Sequence, residues 1–99
     1  MVVVTFRNRF APGIDLDEYG QRVGKLFEIV AAMPGFLGIR SYASEDGERI
    51  SVIEFASQEA LAAWRDQPDH RIAQELGKQQ YYAEYHLQVC EVVRESHQG

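Results

Sequence analysis

The spacing of the apolar residues alternates along this chain between a period of two and a period of about 3.6, and the order of these changes limits the possible folds. A period of two is typical of a strand, and the longer period is typical of an amphipathic helix. The shorter period predicts strands at Val2–Phe10, Phe36–Ala43, Ile50–Phe55 and Tyr85–Val93. The helical period falls between the first two strands and again between the last two.

Cap and breaker residues bound the two helical segments. Asp15 opens the first segment in a capping-box pattern, and Pro34 with the glycine after it ends that segment. Ser57 caps the second segment, which Pro68 breaks, and Asp69 is expected to cap the piece that follows. The chain therefore runs strand, helix, strand, strand, broken helix, strand.

This order is the β-α-β-β-α-β pattern of ferredoxin-like folds, an α+β class in which an antiparallel sheet carries its helices on one face. The chain of 99 residues is one domain, 1–99, whose tail from about residue 95 is expected to fray. The helices then leave the second sheet face uncovered, and an uncovered face in water is expected to be polar. Neither set of alternating residues in the second strand is clearly polar. We therefore expect a homodimer that forms through this sheet face.

Charge and composition exclude several classes of protein. The net charge is −5 with acids and bases interleaved, which disfavours binding to nucleic acid. The sequence shows no run of about 18 apolar residues and no signal-peptide pattern, so we expect a cytoplasmic protein that does not engage a membrane. The single cysteine, Cys90, lies in an apolar run and is expected to be buried. A lone cysteine forms neither a disulfide framework nor a CxxC metal site.

Four segments, in their order along the chain, resemble the antibiotic biosynthesis monooxygenase (ABM) family. They are Asn8 in the first strand, Met33-Pro34-Gly35-Phe36-Leu37-Gly38 before the second, Glu54-Phe55-Ala56-Ser57 leading to Ala63-Trp64, and Pro68-Asp69-His70. The resemblance implies a dimeric α+β barrel with a pocket between the sheet and the helices of each subunit. Some members oxidise polycyclic aromatic phenols with oxygen and without metal or flavin, whereas others degrade heme or have no settled activity.

The heme-degrading branch of that family is matched only in part. The resemblance to that branch covers Asn8 and Trp64, but its axial histidine would stand nine or ten residues after the tryptophan. Those positions hold Ala73 and Gln74, and neither can ligate iron as imidazole does. Since His70 comes too early, heme degradation is disfavoured and no cofactor is expected.

Three residues are the candidate catalytic groups. Asn8 is a polar residue on a strand face whose other residues are apolar. Its side chain could hold a carbonyl or an oxygen intermediate, or it could be a hydrogen-bonded amide at the end of the strand. Trp64 could stack on an aromatic ligand or simply fill the core. His70 could deprotonate a phenol near neutral pH, or lie in solvent at the start of a helix.

Five further residues are candidates for binding a substrate. Tyr81, Tyr82 and Tyr85 could line a pocket and orient a polar edge of the ligand, or seal a dimer interface. His86 competes with His70 for the role of base. Arg40 could neutralise a developing enolate, or be a solvated charge at the edge of the sheet.

These residues favour a cofactor-independent monooxygenase that acts with O₂ on an aromatic or quinol-like small molecule. The scheme begins with proton removal and continues with electron transfer from the resulting carbanion to oxygen. Two alternatives stay open, a dimer that binds a small molecule without catalysis and an oxygen-independent isomerase of the same fold.

Overall fold

The computed structural model describes all 99 residues and contains one four-stranded antiparallel sheet in the order β2-β3-β1-β4. The strands are β1 (Val2–Phe10), β2 (Phe36–Ala43), β3 (Arg49–Phe55) and β4 (Tyr82–Glu91). The helices are α1 (Leu16–Ala31), α2 (Gln58–Asp66) and α3 (Pro68–Leu76), and a π-helical turn, Gly77–Tyr81, joins α3 to β4. The predicted ferredoxin-like fold with a broken second helix is confirmed. No helix combines the length and the apolar character that a membrane crossing requires.

The predicted bounds of the last strand are wrong at both ends. The strand begins at Tyr82 rather than Tyr85 and ends at Glu91 rather than Val93. Its extent is set by its partner, because β1 pairs with it from Phe10↔Tyr82 to Val2↔Glu91, with a register shift near the Phe10 end. Alternation within one segment of sequence cannot show where the neighbouring strand stops.

The caps agree with the sequence for two helices and differ for the third. The carboxylate of Asp15 accepts a hydrogen bond from the backbone of α1 at 3.0 Å, and the hydroxyl of Ser57 does the same for α2 at 3.1 Å. The cap of α3 is Gln67, whose side chain accepts from the His70 N–H at 2.9 Å, and not Asp69. Because Pro68 already has helical φ, the residue before it takes the cap position.

The strand register aligns side chains in rows on the face that the helices cover. From one end to the other these rows are Phe55–Val2, Ile53–Val4–Val89, Ser51–Phe6–Leu87 and Arg49–Asn8–Tyr85. We call these rows the sheet floor. The floor is apolar at its first end and polar at its last, so it is graded along the strands.

The buried core lies at the apolar end of the sheet floor. Val2, Val4 and Phe55 pack there with Val30 of α1 and Trp64 of α2, and all five are buried. On β4, Leu87 and Val89 face the same side but remain about half exposed. The helices therefore leave the β4 edge of the sheet floor uncovered, with open space above it.

Cys90 is exposed, so the expectation that its thiol is buried is wrong for the single chain. Its partner across the strands is Val3, and both belong to the parity opposite the sheet floor. The apolar run around Cys90 is thus divided between two faces, of which the helices cover only one.

Gly35→Ala should lower the free energy of unfolding by about 2 kcal/mol, because two effects add at this position. Gly35 has a φ of +85°, and a Cβ there would lie 2.6 Å from the Cβ of Ala60 in α2. Gly24→Ala, at an exposed site in α1 with nothing within 4 Å of the added carbon, is the control and should stabilise by about 0.5–1 kcal/mol. Urea unfolding measures both, and an unchanged midpoint for Gly35→Ala would contradict the expected strain.

Candidate functional site

A cavity of about 440 Å³ lies between the sheet floor and the helices. All four strands contribute to its sheet side, and the walls come from all three helices and the π-helical turn. Most of the lining side chains are hydrophobic. A cavity of this size and character suits a small organic molecule with a large apolar part.

Six of the eight residues that the sequence singles out line this cavity. They are Asn8, Trp64, His70, Tyr81, Tyr82 and Tyr85. His86 instead lines a small polar depression of about 230 Å³, together with Arg7 and Glu48. Arg40 is exposed and pairs with Val52 on the face turned away from the helices, so the structure gives it no contact with the cavity.

Trp64 and His70 form one stacked unit in the wall of the cavity. Their ring centroids are 4.0 Å apart with the planes inclined by 13°. The Nδ1 of His70 lies 2.9 Å from the carbonyl oxygen of Trp64. Since a carbonyl only accepts, Nδ1 carries the proton and Nε2 is the unprotonated nitrogen of the neutral ring.

Burial lowers the pKa of His70, and the hydrogen bond to the Trp64 carbonyl opposes this shift only in part. Gln74 also approaches Nδ1, at 3.2 Å, but its Nε2 donates to the carbonyl of Arg65 at 2.9 Å. The ring is therefore neutral at neutral pH and held in one tautomer. A neutral imidazole with a fixed tautomer has the state that a general base needs.

Asn8 is 5% exposed, and its Oδ1 has no hydrogen-bond partner. The strand register places it between Arg49 and Tyr85 in the polar row of the sheet floor. A buried acceptor without a donor costs about 1–3 kcal/mol. The amide is thus available to a bound molecule, and the interpretation of Asn8 as a satisfied strand-end amide does not fit.

Two of the three tyrosines at the end of the cavity, Tyr81 and Tyr82, are hydrogen-bonded to side chains of α1. Tyr82 and Tyr19 share a hydrogen bond of 3.1 Å between their hydroxyls, and Tyr81 donates to Glu18 at 2.8 Å. Burial raises the pKa of both Tyr81 and Tyr82, so their phenols stay protonated. These groups can donate hydrogen bonds but cannot serve as bases. Tyr85 is about half exposed and has the freest hydroxyl of the three.

The sequence-based set omits other residues that line the cavity, among them two on α1 and one on β3. Tyr19 and Arg22 reach the cavity from α1, and Arg49 reaches it from the first position of β3. Arg49 lies on the same face of β3 as Ser51 and Ile53. The alternation of residues in the sequence could have shown that Arg49 belongs to this face. The predicted strand began one residue later, at Ile50, and left Arg49 outside it.

The residues at the positions of the heme ligand do not fit that group. Ala73 and Gln74 both line the cavity, but one presents a methyl group and the other an amide that donates to a backbone carbonyl. An axial iron ligand of the kind that the heme-degrading branch uses is an imidazole. The donor set of this cavity therefore gives no support to heme chemistry.

The chain matches known proteins in sequence and in fold. A sequence model described as antibiotic biosynthesis monooxygenase matches residues 1–76. The uncharacterised protein YqjZ of Bacillus subtilis is 34% identical over 77 residues, which are 78% of this chain and 68% of that protein.

Two solved structures share the fold at low sequence identity. A protein of Mycobacterium tuberculosis superposes with a TM-score of 0.80 at 18% identity, over 97% of this chain and 98% of that one. A dimeric ferredoxin-like protein of unknown function from Thermobifida fusca has a TM-score of 0.69 at 18% identity, over 93% and 92% of the two chains.

Proposed function

This chain belongs to the antibiotic biosynthesis monooxygenase family, and we propose that it is a cofactor-independent monooxygenase of aromatic, quinol-like molecules. The observation that carries the proposal is the make-up of the cavity. It is an apolar space in which a neutral histidine stacked on tryptophan and a buried amide without a partner are the reactive groups. Such a site can remove a proton and stabilise the charge that develops.

The positions of these groups favour a substrate with fused rings. Trp64 belongs to the buried cluster that includes Val2 and Val4 of β1, and Asn8 lies at least four residues further along that strand. Four residues of strand correspond to about 13 Å. A molecule that touches both the Trp64–His70 unit and Asn8 must therefore be longer than a single ring.

In the proposed reaction, Nε2 of His70 removes a proton from a CH₂ group that is activated by adjacent rings. The carbanion transfers one electron to O₂, and the two radicals combine to form a carbon–oxygen bond. The peroxide anion takes the proton back from His70, and loss of water from the resulting hydroperoxide gives a ketone or quinone, so one oxygen atom enters the product and the other leaves as water. The Asn8 amide N–H would stabilise the negative charge that delocalises onto an oxygen at the far end of the ring system, while Trp64 and the tyrosines hold the ring away from solvent.

The test is oxygen consumption by the purified, chelator-treated protein with anthrone, which has such a CH₂ group, and with naphthohydroquinones, which offer one in their keto tautomer. One O₂ consumed per ketone formed, with an added oxygen-18 atom in the product, supports the proposal. Quenching of Trp64 fluorescence without oxygen uptake would support a binding protein instead. Product that forms equally well under argon would support the isomerase.

The proposed homodimer places the uncovered sheet face in the interface. This face includes Val3, Val52 and Cys90, and the related protein of Thermobifida fusca is described as dimeric. Partly apolar strands without cover are typical of an interface.

Val52→Glu should shift the protein from dimer to monomer, because each subunit would have to strip a carboxylate of water at the interface, and a pair with the neighbouring Arg40 would not offset that desolvation. Light scattering after gel filtration measures the mass, and the rate at which a thiol reagent labels Cys90 should rise at least tenfold in the variant. Val93→Glu is the control, since Val93 is 97% exposed beyond the last strand. A wild-type protein that is monomeric at tens of micromolar, or a dimeric Val52→Glu variant, would contradict this interface.

A further inference from the structure

The charged residues that line the cavity are all cationic. They are Arg22, Arg49, Arg65 and Lys78, and no aspartate or glutamate lines the cavity. The chain as a whole has a net charge of −5. A cation-only lining in an acidic protein is therefore a local feature and favours an anionic ligand.

Only one of these four cations lacks a carboxylate partner. The pairs of the others are Arg22–Glu18 at 3.1 Å, Arg65–Asp66 at 3.3 Å and Lys78–Glu75 at 3.7 Å. Arg49 has no such pair, and its guanidinium lies 4.6 Å from the centre of the Phe10 ring. It is half-buried, so an unpaired charge there is costly and is compensated when an anion binds.

Arg49 stands directly across β1 and β3 from Asn8. Side chains at such paired positions on one face lie within about 5.5 Å at their Cβ atoms. The cavity thus presents, side by side, a cation that needs an anion and an acceptor, the Asn8 Oδ1, that needs a donor. A ligand that satisfies both has an anionic group next to a hydroxyl.

We propose that the substrate is a fused aromatic ring that carries a carboxylate next to a hydroxyl group. Arg49 binds the carboxylate, the Asn8 Oδ1 accepts the hydroxyl hydrogen, and the ring extends over the apolar rows of the sheet floor toward Trp64. A carboxylate is favoured over a phosphate because its single charge is matched by the one unpaired guanidinium, whereas a phosphate carries up to two charges and the other cations are already paired. This inference rests on the proposed function, whose substrate class it specifies.

The test measures binding alone, by isothermal titration under argon. The probes are 1-hydroxy-2-naphthoate, its amide 1-hydroxy-2-naphthamide, and 1-methoxy-2-naphthoate. The wild-type protein should bind the hydroxy acid roughly 10- to 100-fold more tightly than the amide, and about tenfold more tightly than the methoxy acid.

Arg49→Gln should reduce the preference for acid over amide to about one, while Arg49→Lys should retain part of it. Arg71→Gln, an exposed site outside the cavity with the same change of charge, should leave the preference intact. Circular dichroism and thermal unfolding establish that each variant is folded. Equal affinity of the wild type for acid and amide, no binding of either, or an unchanged preference in Arg49→Gln would overturn the inference.

Failure of this inference differs from failure of the proposed function. Oxygen uptake with neutral quinols alongside equal binding of acid and amide would reject the carboxylate site and retain the monooxygenase. Selective binding of the hydroxy acid without oxygen uptake from any probe would retain the site and reject the monooxygenase.

Discussion

His70→Gln should lower kcat for oxygen uptake roughly a hundredfold to ten-thousandfold, the usual loss when a general base is removed. The expectation follows from the geometry of the ring, which stacks on Trp64 at 4.0 Å and donates its Nδ1 proton to the Trp64 carbonyl. Both contacts leave Nε2 as the basic atom. Glutamine retains a hydrogen-bonding side chain but has no basic nitrogen, so substrate binding should change much less than kcat.

The pH dependence provides a second readout for His70. Burial lowers its pKa, so the unprotonated ring persists to a lower pH than in an unfolded chain. The wild-type kcat/KM should therefore stay flat on going down from neutral pH and fall only below about 6.5. This acidic limb should be absent from the residual activity of His70→Gln.

The lowered pKa of His70 also makes the free energy of unfolding depend on pH, because the folded and unfolded chains bind the proton with different affinity. A histidine whose pKa is lower in the folded state stabilises the fold fully above the unfolded value of about 6.5. That contribution is lost as the pH falls toward the folded pKa, since the unfolded chain then binds the proton more readily. The wild type should lose unfolding free energy in this acidic window more steeply than His70→Gln.

His97→Gln is the matched control for these measurements, because His97 is exposed in the tail beyond β4. It should retain wild-type kcat and the wild-type acidic limb. A His70→Gln variant with unchanged kcat would contradict the assignment of His70 as the base.

The sequence predicted the fold because periodicity and caps are local signals, and local signals are strong here. The bounds of β1 and β2 and the caps Asp15 and Ser57 all follow from neighbouring residues. The bounds of β4 do not, since pairing with β1 decides them. Long-range pairing is the information that a single sequence does not contain.

The candidate site was predicted less completely for the same reason. Arg40 shares a sequence parity with Phe36, but a register shift near the start of β2 places Phe36 on the cavity side and Arg40 on the other face. The contribution of Tyr19 and Arg22 depends on how α1 lies over the sheet, which periodicity alone does not define. Asn8 was found because a polar residue among apolar ones on a strand is visible locally.

Asn8→Leu should raise the stability of the protein and remove its activity. The buried Oδ1 without a donor costs about 1–3 kcal/mol, and a leucine, whose side chain has the same branched shape, removes that cost while packing beside Phe6 on the same strand face. The midpoint of thermal unfolding in the absence of ligand should rise by at least ~4 °C. Loss of the amide from the oxyanion contact should lower kcat roughly a hundredfold to a thousandfold.

Opposite changes in stability and activity separate a functional Asn8 from a structural one. An amide that supports the fold would lower both quantities when it is replaced, whereas an amide kept unpaired for a ligand lowers only the activity. Ser51→Ala is the control, because Ser51 is a polar floor residue whose hydroxyl is already bonded to that of Ser41 at 3.0 Å. Its removal should not stabilise the protein. An Asn8→Leu variant that unfolds at a lower temperature than the wild type would show that the amide is satisfied in the free protein, and the ligand contact assigned to it would then be withdrawn.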